Sequence, residues 1–380
     1  MESIKNGSAA GLRVITRRAA MGILAAAPAW AKRRAPLFEQ VELFRQGEAG
    51  VHTYRIPALV ETRRGTLIAV ADARHDSTSD MPARISLVMR RSRDGGKTWS
   101  AALTIRAVKE GGVGDASLLV DPRRGRVWCF HSYGPPGIGF GTAQPGALTG
   151  PTTFQFHAIS SDDEGATWSQ PVDLTPQVKE REWQAMFATS GTHFATSRGR
   201  FLVPLVTRDG AGVVSSRNAY SDDGGLTWKA GAFIGRDTDE SKAVELADGS
   251  VLQNMRLRNS KVRAQARSTD GGVTFAPMQQ VAALVDPVCN AGLARYRHGG
   301  RDLLLFTNAA SVRRENVTIK VSADGGRTWS AGRALHPGPG AYSTVIPLRD
   351  GTIGVMYECG EKTPVERIRF ARCNLEWVEG

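Results

Sequence analysis

The sequence of 380 residues predicts an all-β fold built from repeated small sheets. The first observation is a pattern, Ser-x-Asp-x-Gly-x-Thr-aromatic, that recurs at intervals of about 50 to 70 residues, as in repeat architectures. Its five copies begin at Ser92, Ser161, Ser221, Ser268 and Ser322. The second observation is a set of short apolar runs that are typical of strands, at residues 66–71, 200–204, 250–254 and 302–306. Gly-containing turns precede several of these runs, which indicates hairpins.

Each copy of the pattern is typical of a tight turn between two strands. The Asp side chain accepts hydrogen bonds from nearby backbone N–H groups, and the Gly supplies the positive φ that such turns need. We expect the Thr and the aromatic residue to begin the next strand, with the aromatic ring buried. Each copy therefore marks one hairpin of one sheet.

The chain is organised as a leader followed by one domain. Residues 1–31 contain a pair of arginines before an Ala-rich apolar run that ends in Ala-Trp-Ala, which fits a twin-arginine export signal. The run is too short to span a bilayer, so we expect cleavage near Lys32 and a periplasmic or secreted protein without stable membrane insertion. A leader that stays uncleaved, membrane-tethered or disordered is the alternative. Residues 38–376 contain no linker or low-complexity stretch, which predicts a single domain.

The formal net charge of +12 overstates how basic the domain is, because the first 34 residues carry seven Lys or Arg and one Glu, which is half of that charge. The domain is mildly basic and has no dense basic and aromatic patch, so nucleic acid is not expected as a partner. A mild positive field suits an anionic glycan. Four cysteines match no metal-binding spacing, and either a disulfide or buried thiols would fit them: Cys129, Cys289, Cys359 and Cys373.

The repeated pattern resembles the Asp boxes of the sialidase (neuraminidase) family, and the resemblance covers the chain from about Phe38 to about Phe370. It implies a six-bladed β-propeller over residues 38–376, with the boxes on the rim and away from the substrate. Two departures are Phe275, where the other four boxes have Trp, and Asp239, where the family more often has asparagine.

Three arginines lie where the family binds the substrate carboxylate. Tyr-Arg-Ile-Pro at residues 54–57 resembles the family motif [FY]-R-I-P, whose arginine corresponds to Arg55. Arg256 and Arg314 lie at matching places later in the chain, although the adjacent Arg313 leaves the third position open. A guanidinium is a planar fork of N–H donors that stays charged, so three that converge form a carboxylate site. Such a cluster also needs acids or an anion to offset its charge.

The resemblance also implies acids around the arginines. Glu358 resembles the family carboxylate that supports the first arginine. The segment from Arg74 to Asp80 resembles the mobile loop of bacterial sialidases, in which an arginine contacts the carboxylate and an aspartate is the acid/base. Asp80 fits that role by spacing better than Asp76. Asp115 resembles an aspartate that lines the pocket near the acetamido and leaving-group side.

Tyr342 resembles the family's nucleophilic tyrosine, and Glu240 resembles the glutamate that accepts its proton. Sialidases are a known exception to the scheme of two carboxylates. The physical reason is that sialic acid carries a carboxylate on its anomeric carbon, which would repel an anionic nucleophile. A neutral phenol that loses its proton to a neighbouring glutamate during attack avoids this repulsion.

The sequence thus predicts an exo-α-sialidase that hydrolyses terminal α-linked sialic acids with retention of configuration, acts as a monomer and needs no metal or cofactor. Sialylated glycans are the expected partners. Two alternatives keep the same catalytic residues, a trans-sialidase and a hydrolase of deaminated nonulosonic acids. A third alternative, from another functional class, is a non-catalytic Asp-box propeller that binds glycans or proteins.

Overall fold

A computed structural model describes residues 34–380, which form mainly antiparallel sheets, two short helices and a 3-10 turn at Glu48–Gly50. The predicted leader, residues 1–31, lies outside the described residues. The strands of the first half are β1 (Phe38–Arg45), β2 (Thr53–Glu61), β3 (Leu67–Arg74), β4 (Ile85–Ser92), β5 (Leu103–Arg106), β6 (Gly112–Val120), β7 (Val127–Gly134), β8 (Gln155–Ser161), β9 (Val172–Asp173), β10 (Ala185–Ala188), β11 (Gly191–Thr192) and β12 (Phe194–Ala195). Helix α1 (Thr175–Val178) lies between β9 and β10.

The second half continues the same alternation of strands and turns. Its strands are β13 (Phe201–Arg208), β14 (Val214–Ser221), β15 (Lys229–Ala230), β16 (Thr238–Glu245), β17 (Val251–Leu257), β18 (Val262–Ser268), β19 (Gln279–Val285), β20 (Gly292–His298), β21 (Arg301–Ala309), β22 (Glu315–Ser322), β23 (Arg333–Pro347), β24 (Ile353–Cys359) and β25 (Arg367–Cys373). Helix α2 (Leu375–Glu379) follows the last strand. In residues 34–380, no helix is long and apolar enough to cross a bilayer.

Hydrogen bonding joins these strands into five sheets. Four of them contain one antiparallel meander each: β2 to β5, β6 to β9, β10 with β13 to β15, and β16 to β19. The fifth has the order β1-β25-β24-β23-β22-β21-β20. Within it, the first part of β23 pairs with β22 and the last part pairs with β24. The all-β prediction is confirmed, whereas the count of six blades requires dividing this sheet at β23 and stays a prediction.

The four apolar runs predicted from the sequence lie in β3, β13, β17 and β21, each of which is buried. The five Asp boxes follow the third strand of a meander and form the predicted turns. In the first box, the Asp94 carboxylate accepts the Thr98 hydroxyl at 2.6 Å, and the Ser92 hydroxyl accepts the Gly96 N–H at 2.9 Å. These hydrogen bonds lower the pKa of Asp94 because they stabilise its charged form.

One part of the Asp-box prediction was wrong. The Thr and the aromatic residue lie just outside the strands, and only Trp228 is fully buried, whereas the other four rings are half-buried. The physical reason is that the indole folds back over its own turn at the edge of the sheet. Trp99 donates its ring N–H to the Gly96 carbonyl at 3.0 Å and contacts Phe370 of the last sheet with its edge.

The box glycines show how the meanders follow one another. Gly96 has φ +90°, and a Cβ built there would lie 2.1 Å from the Phe370 ring, so only glycine allows this approach. The later box glycines contact a side chain of the preceding meander in the same way, namely Gly165 with Ile68, Gly225 with Trp128, Gly272 with Leu202 and Gly326 with Leu252. Because the first box contacts the last sheet, the series closes into a ring. Strand β1 also pairs with β25, so the two ends of the domain share one sheet.

The four cysteines are buried and free in the described part of the chain. Of the two interpretations that the sequence left open, the structure therefore has the buried thiols. Burial raises the pKa of Cys129, Cys289 and Cys373, which keeps these thiols protonated at neutral pH.

Candidate active site

Tyr342 and Glu240 are 102 positions apart in the sequence, but their side chains are hydrogen-bonded to each other. Tyr342 lies in the last part of β23 and Glu240 at the start of β16, and both are buried. The Tyr342 hydroxyl donates to Glu240 Oε2 at 2.6 Å. Arg256 Nη1 lies 2.6 Å from the same carboxylate oxygen and 3.2 Å from the Tyr342 hydroxyl. The geometry therefore joins a phenol, a carboxylate that can accept its proton and a fixed positive charge.

The environment of Tyr342 keeps its phenol neutral. Burial raises the pKa of Tyr342 well above its usual range, and the charge of Glu240 adds to the effect, while Arg256 and Arg55 act in the opposite direction. A phenolate in this position would be poorly solvated and would face a neighbouring carboxylate. Glu240 is the hydrogen-bonded carboxylate that can accept the proton of this hydroxyl.

Glu358 ties the first arginine to the tyrosine strand. Its carboxylate is fully buried and accepts from Arg55 Nε and Nη2, both at 3.1 Å. It also accepts the backbone N–H of Ile56 at 2.8 Å and that of Tyr342 at 3.1 Å. A single carboxylate thus satisfies four donors from two strands. Arg55 in turn lies over the Tyr342 ring, 5.1 Å from the ring centroid.

Arg314 is the arginine that completes the cluster. Its guanidinium carbon lies 5.7 Å from the centroid of the Tyr342 ring, and Nη2 donates to the Val288 carbonyl at 3.3 Å. The adjacent Arg313 is 80% exposed in its side chain and pairs with Glu315. The sequence left the choice between these two arginines open, and the structure places Arg314 beside the tyrosine.

The charges of this cluster do not cancel. Glu358 is paired with Arg55 and Glu240 with Arg256. Among residues 34–380, no carboxylate lies within ion-pair distance of Arg314. Three guanidiniums with two carboxylates leave one positive charge for an anion, and the planar forks suit a carboxylate.

Asp80 and Arg74 lie together in a second part of the site. Arg74 Nη2 is 2.6 Å from Asp80 Oδ1, yet the Arg74 side chain is 2% exposed and that of Asp80 is 83% exposed. Asp80 belongs to the segment between β3 and β4, and the Thr78 carbonyl of this segment also accepts from Arg74. Asp76, the weaker candidate for the acid, points elsewhere and pairs with Arg84 at 2.7 Å.

Asp115 faces this second part of the site from β6. Burial raises its pKa to about 7, and the charges of Asp80 and Glu240 add to the shift. The backbone N–H of Asp115 donates to Asp72 Oδ1 at 3.0 Å. The Ser132 hydroxyl donates to Asp115 Oδ2 at a longer distance, 3.5 Å. Asp115 therefore shares one electrostatic environment with the predicted catalytic acids.

Bulges in the first strands of the meanders aim these side chains at one point. The register of four strands shifts near their site ends, in β2 between Arg55 and Ala58, in β6 between Gly114 and Ser117, in β16 between Thr238 and Ser241 and in β23 between Gly340 and Ser343. Ile56 has φ 62° and Asp115 has φ 59°, in the left-handed region that a β-branched residue rarely adopts. Such bulges re-aim side chains beside active sites, and no residue pattern in the sequence announces them.

Sequence reasoning missed two buried Asp and Arg pairs under the site. Asp72 lies beside Arg74, and the period of two along a strand places both on one face, a signal that was present in the sequence. Arg263 pairs with Asp286 at 3.4 Å and donates to the Cys289 carbonyl at 2.6 Å. Arg263 lies on β18 and Asp286 follows β19, 23 positions later, so no local sequence pattern indicates this pair.

Two further observations bear on the site. Asp239, the departure from the family pattern, is paired with Arg258 at 2.8 Å, so its charge is compensated. In the described residues, no group of three or more His, Cys, Asp or Glu side chains is arranged to hold a metal ion.

A closed ring of mainly antiparallel sheets defines a β-propeller, and its candidate site holds a cluster of arginines around a buried tyrosine. The model of the family described as BNR repeat-like domain matches residues 65–355. The chain is 37% identical over 367 residues to a sialidase of Micromonospora viridifaciens, which covers 91% of this chain and 55% of that protein. It is 34% identical over 333 residues to a sialidase of Bacteroides fragilis, which covers 82% and 61%.

Among solved structures, the Hadza microbial sialidase Hz136 superposes with a TM-score of 0.82 at 29% identity, over 89% of this chain and 69% of that one. The chain therefore belongs to the sialidase family of BNR-repeat proteins. It spans less than two thirds of the length of the two curated relatives.

Proposed function

We propose that this chain is an exo-α-sialidase that hydrolyses terminal α-linked sialic acids with retention of configuration. The observation that carries the proposal is the 2.6 Å hydrogen bond between Tyr342 and Glu240 beneath the cluster of arginines. This pair supplies a nucleophile and its base, and the cluster supplies a site for the carboxylate next to the reacting carbon.

Binding uses the uncompensated positive charge of the cluster. Arg55 and Arg256 are held by Glu358 and Glu240, so their guanidiniums are fixed before substrate arrives. Arg314 adds the charge that a carboxylate would neutralise. Binding in this orientation places the anomeric carbon, which bears the carboxylate, over the Tyr342 hydroxyl.

Attack then moves two protons within the site. As the Tyr342 oxygen bonds to the anomeric carbon, its proton passes to Glu240, and Asp80 donates a proton to the leaving glycan oxygen. The resulting glycosyl-tyrosine is hydrolysed by water, which Asp80 activates as a base, and Glu240 returns its proton to the Tyr342 oxygen as that bond breaks. Two displacements at the same carbon retain its configuration. Asp115 lines the acid side of the pocket, where it would contact the substrate near its acetamido group.

The test is release of 4-methylumbelliferone from its α-N-acetylneuraminic acid glycoside, with proton NMR to identify the first anomer formed. We expect turnover at mildly acidic to neutral pH, with the α-anomer appearing first. Folded protein that releases nothing from this substrate, and nothing from the corresponding glycoside of the deaminated acid, would contradict the proposal. It would favour a propeller that binds glycans without catalysis.

The same assay distinguishes sialic acid hydrolysis from two related activities. Turnover of only the deaminated glycoside would identify a hydrolase of that acid. Formation of sialyllactose when lactose is added would identify a trans-sialidase. Analysis of the products by chromatography separates these outcomes from plain hydrolysis.

We also propose, from the predicted leader, that the protein acts outside the cytoplasm. We further propose that it acts on sialylated glycans as a monomer. Mass spectrometry of the exported protein tests cleavage after residue 31, and light scattering tests the oligomeric state. An unprocessed N-terminus would contradict the first part, and a stable dimer the second.

A further inference from the structure

We propose that Asp72 is a positioning residue for catalysis: it is the counter-ion that Arg74 keeps when Asp80 leaves that arginine to protonate the departing glycan. The inference rests on the proposed function, in which Asp80 is the acid. It adds to that function a residue that none of the sequence motifs identifies.

Asp72 contacts two residues of the second part of the site, Arg74 and Asp115. It lies on β3 two positions before Arg74, so both side chains leave the same face of the strand. Both are almost completely buried, and Asp72 Oδ2 lies 3.8 Å from Arg74 Nη2. Its other oxygen accepts the backbone N–H of Asp115 at 3.0 Å, at the bulge of β6. Asp72 is thus held by the fold whether or not substrate is present.

Asp80 is held differently. Its only ion pair in the described structure is with Arg74, at 2.6 Å, and its side chain is otherwise exposed. An arginine partner favours the ionised form of a carboxylate, whereas an acid catalyst must be protonated when the leaving group departs. Asp80 therefore has to take up a proton and loosen its contact with Arg74 during the reaction. Arg74 is buried, and a buried guanidinium without a partner is strongly unfavourable.

Asp72 resolves this conflict because it is the second carboxylate within reach of Arg74. The charged and titratable groups that face Asp72 come from its own strand, from three other strands and from the loop, namely Arg74, Arg55 on β2, Asp115 on β6, Cys129 on β7 and Asp80. Burial raises the pKa of Asp72 well above its usual range, and the charges of Asp115 and Asp80 add to the shift, so the ionised form of Asp72 becomes more favourable when the charge of Asp80 is lost. Arg74 acts in the opposite direction and is the group that favours the ionised form of Asp72.

Removing the charge of Asp72 has a defined direction. In Asp72→Asn, Asp80 is the carboxylate left to compensate Arg74. Asp80 is therefore harder to release from Arg74, which slows the step in which it protonates the leaving glycan. The asparagine oxygen can still accept the Asp115 N–H, which makes the change one of charge rather than of shape.

The experiment compares two substrates of the purified full chain. A 4-methylumbelliferyl glycoside has a leaving group that departs with little protonation, whereas 3′-sialyllactose needs a proton on its leaving oxygen. We expect Asp72→Asn to lose about 10 to 100 times more kcat/KM on sialyllactose than on the aryl glycoside.

Asp286→Asn is the matched control. Asp286 is an equally buried carboxylate that pairs with a buried arginine, Arg263, at 3.4 Å, but its contacts lead to Cys289 and the arginine cluster. Any loss that it causes should be equal for the two substrates. Thermal melting of each variant reports whether the fold is kept.

The outcomes are distinct. Equal losses on both substrates in Asp72→Asn would overturn the inference. If the wild type acted on neither substrate, the proposed function would fail and the inference with it. If Asp72→Asn did not fold, Arg74→Lys would test the same link, because lysine keeps the charge but cannot reach both carboxylates with a planar fork. Equal losses in that variant would likewise overturn the inference.

Discussion

The two halves of the candidate site are built in opposite ways. The tyrosine half is buried on strands of different sheets, and Glu358 and Arg256 fix Tyr342 and Glu240 from both sides. In the acid half, Asp80 lies on an exposed segment and is held by one arginine. Folding alone therefore assembles the proposed nucleophile with its base, whereas the proposed acid, Asp80, stays exposed and depends on one ion pair. Preorganisation of this kind lowers the reorganisation needed for attack.

The largest expected effect comes from removing the nucleophile. Tyr342→Phe should lower kcat/KM by at least about 10³-fold on every substrate, because no other group can form the glycosyl bond. Melting should change little, since the ring and its packing remain. The matched control is Tyr357→Phe, because Tyr357 is an equally buried tyrosine in the core of the last sheet, and its activity should equal that of the wild type. Full activity of Tyr342→Phe would remove the tyrosine half from the mechanism.

Removing the acid should have an effect that depends on the leaving group. Asp80→Asn should lower kcat/KM on 3′-sialyllactose by about 10²-fold or more and on an aryl glycoside by much less. Steady-state kinetics with both substrates measures the ratio. If Asp80→Asn lost kcat/KM equally on both substrates, as expected for Tyr342→Phe, Asp80 would not act as the acid for the leaving group. The control is Asp76→Asn, since Asp76 lies on the same segment and pairs with Arg84 instead.

Adjacent arginines offer a sharper test of the anion site. Arg314→Lys should raise KM, with a loss of about 10-fold in kcat/KM, because lysine keeps the charge but cannot present two parallel donors to a carboxylate. Arg313→Lys should have no effect, since that side chain is exposed and pairs with Glu315. Steady-state kinetics on the aryl glycoside measures both variants. The opposite ranking would mean that Arg313 reaches the substrate.

The smallest expected effect is on stability and concerns the acid half. The pKa of Asp115 is raised from 3.8 to about 7, so the folded state binds this proton more tightly than the unfolded state. Its stabilising contribution is complete below about pH 4 and is lost as pH rises through about 7. Relative to Asp115→Asn, the melting temperature of the wild type should therefore fall between pH 4 and 7.5, by about 1 to 3 °C.

Melting curves over this pH range, compared between the wild type and Asp115→Asn, measure the difference. A wild type that gained stability relative to the variant on going to pH 7.5 would show that Asp115 is ionised and well compensated in the fold. The carboxylates of the acid half would then be compensated by positive charge, as Glu240 and Glu358 are in the tyrosine half.

The parts of the fold that the sequence predicted depend on contacts within a few residues. An Asp box closes its hydrogen bonds within four positions, so its turn is readable locally. The partial burial of the box aromatic rings could not be predicted from local sequence, because it depends on contacts with the neighbouring sheet. The same holds for the division of β23 between two partners, which no residue in that strand announces.

The candidate site shows the same limit. Its arginines, Tyr342 and Glu240 were predicted because each lies in a short recognisable segment. The groups that hold them were predicted less completely. Glu358 reaches the N–H of Ile56 across 302 positions, and the bulge that turns this N–H inward is visible only in three dimensions. The spacing of Asp72 to Arg74 predicts that both side chains lie on one face of a strand. The contact that holds Asp72 in place involves Asp115, which lies in another sheet.

The pairing of β1 with β25 ties the strand that carries Tyr342 to both ends of the described domain. Tyr342 and Glu358 lie in the sheet that β1 completes, so β1 has no partner until β25 has been synthesised. Until then, β1 presents an open strand edge of the kind that aggregates. A copy without β25 would also leave an open edge on β24, the strand that carries Glu358. The hydrogen bond from Glu358 to the Tyr342 strand thus depends on segments from both ends of the described domain.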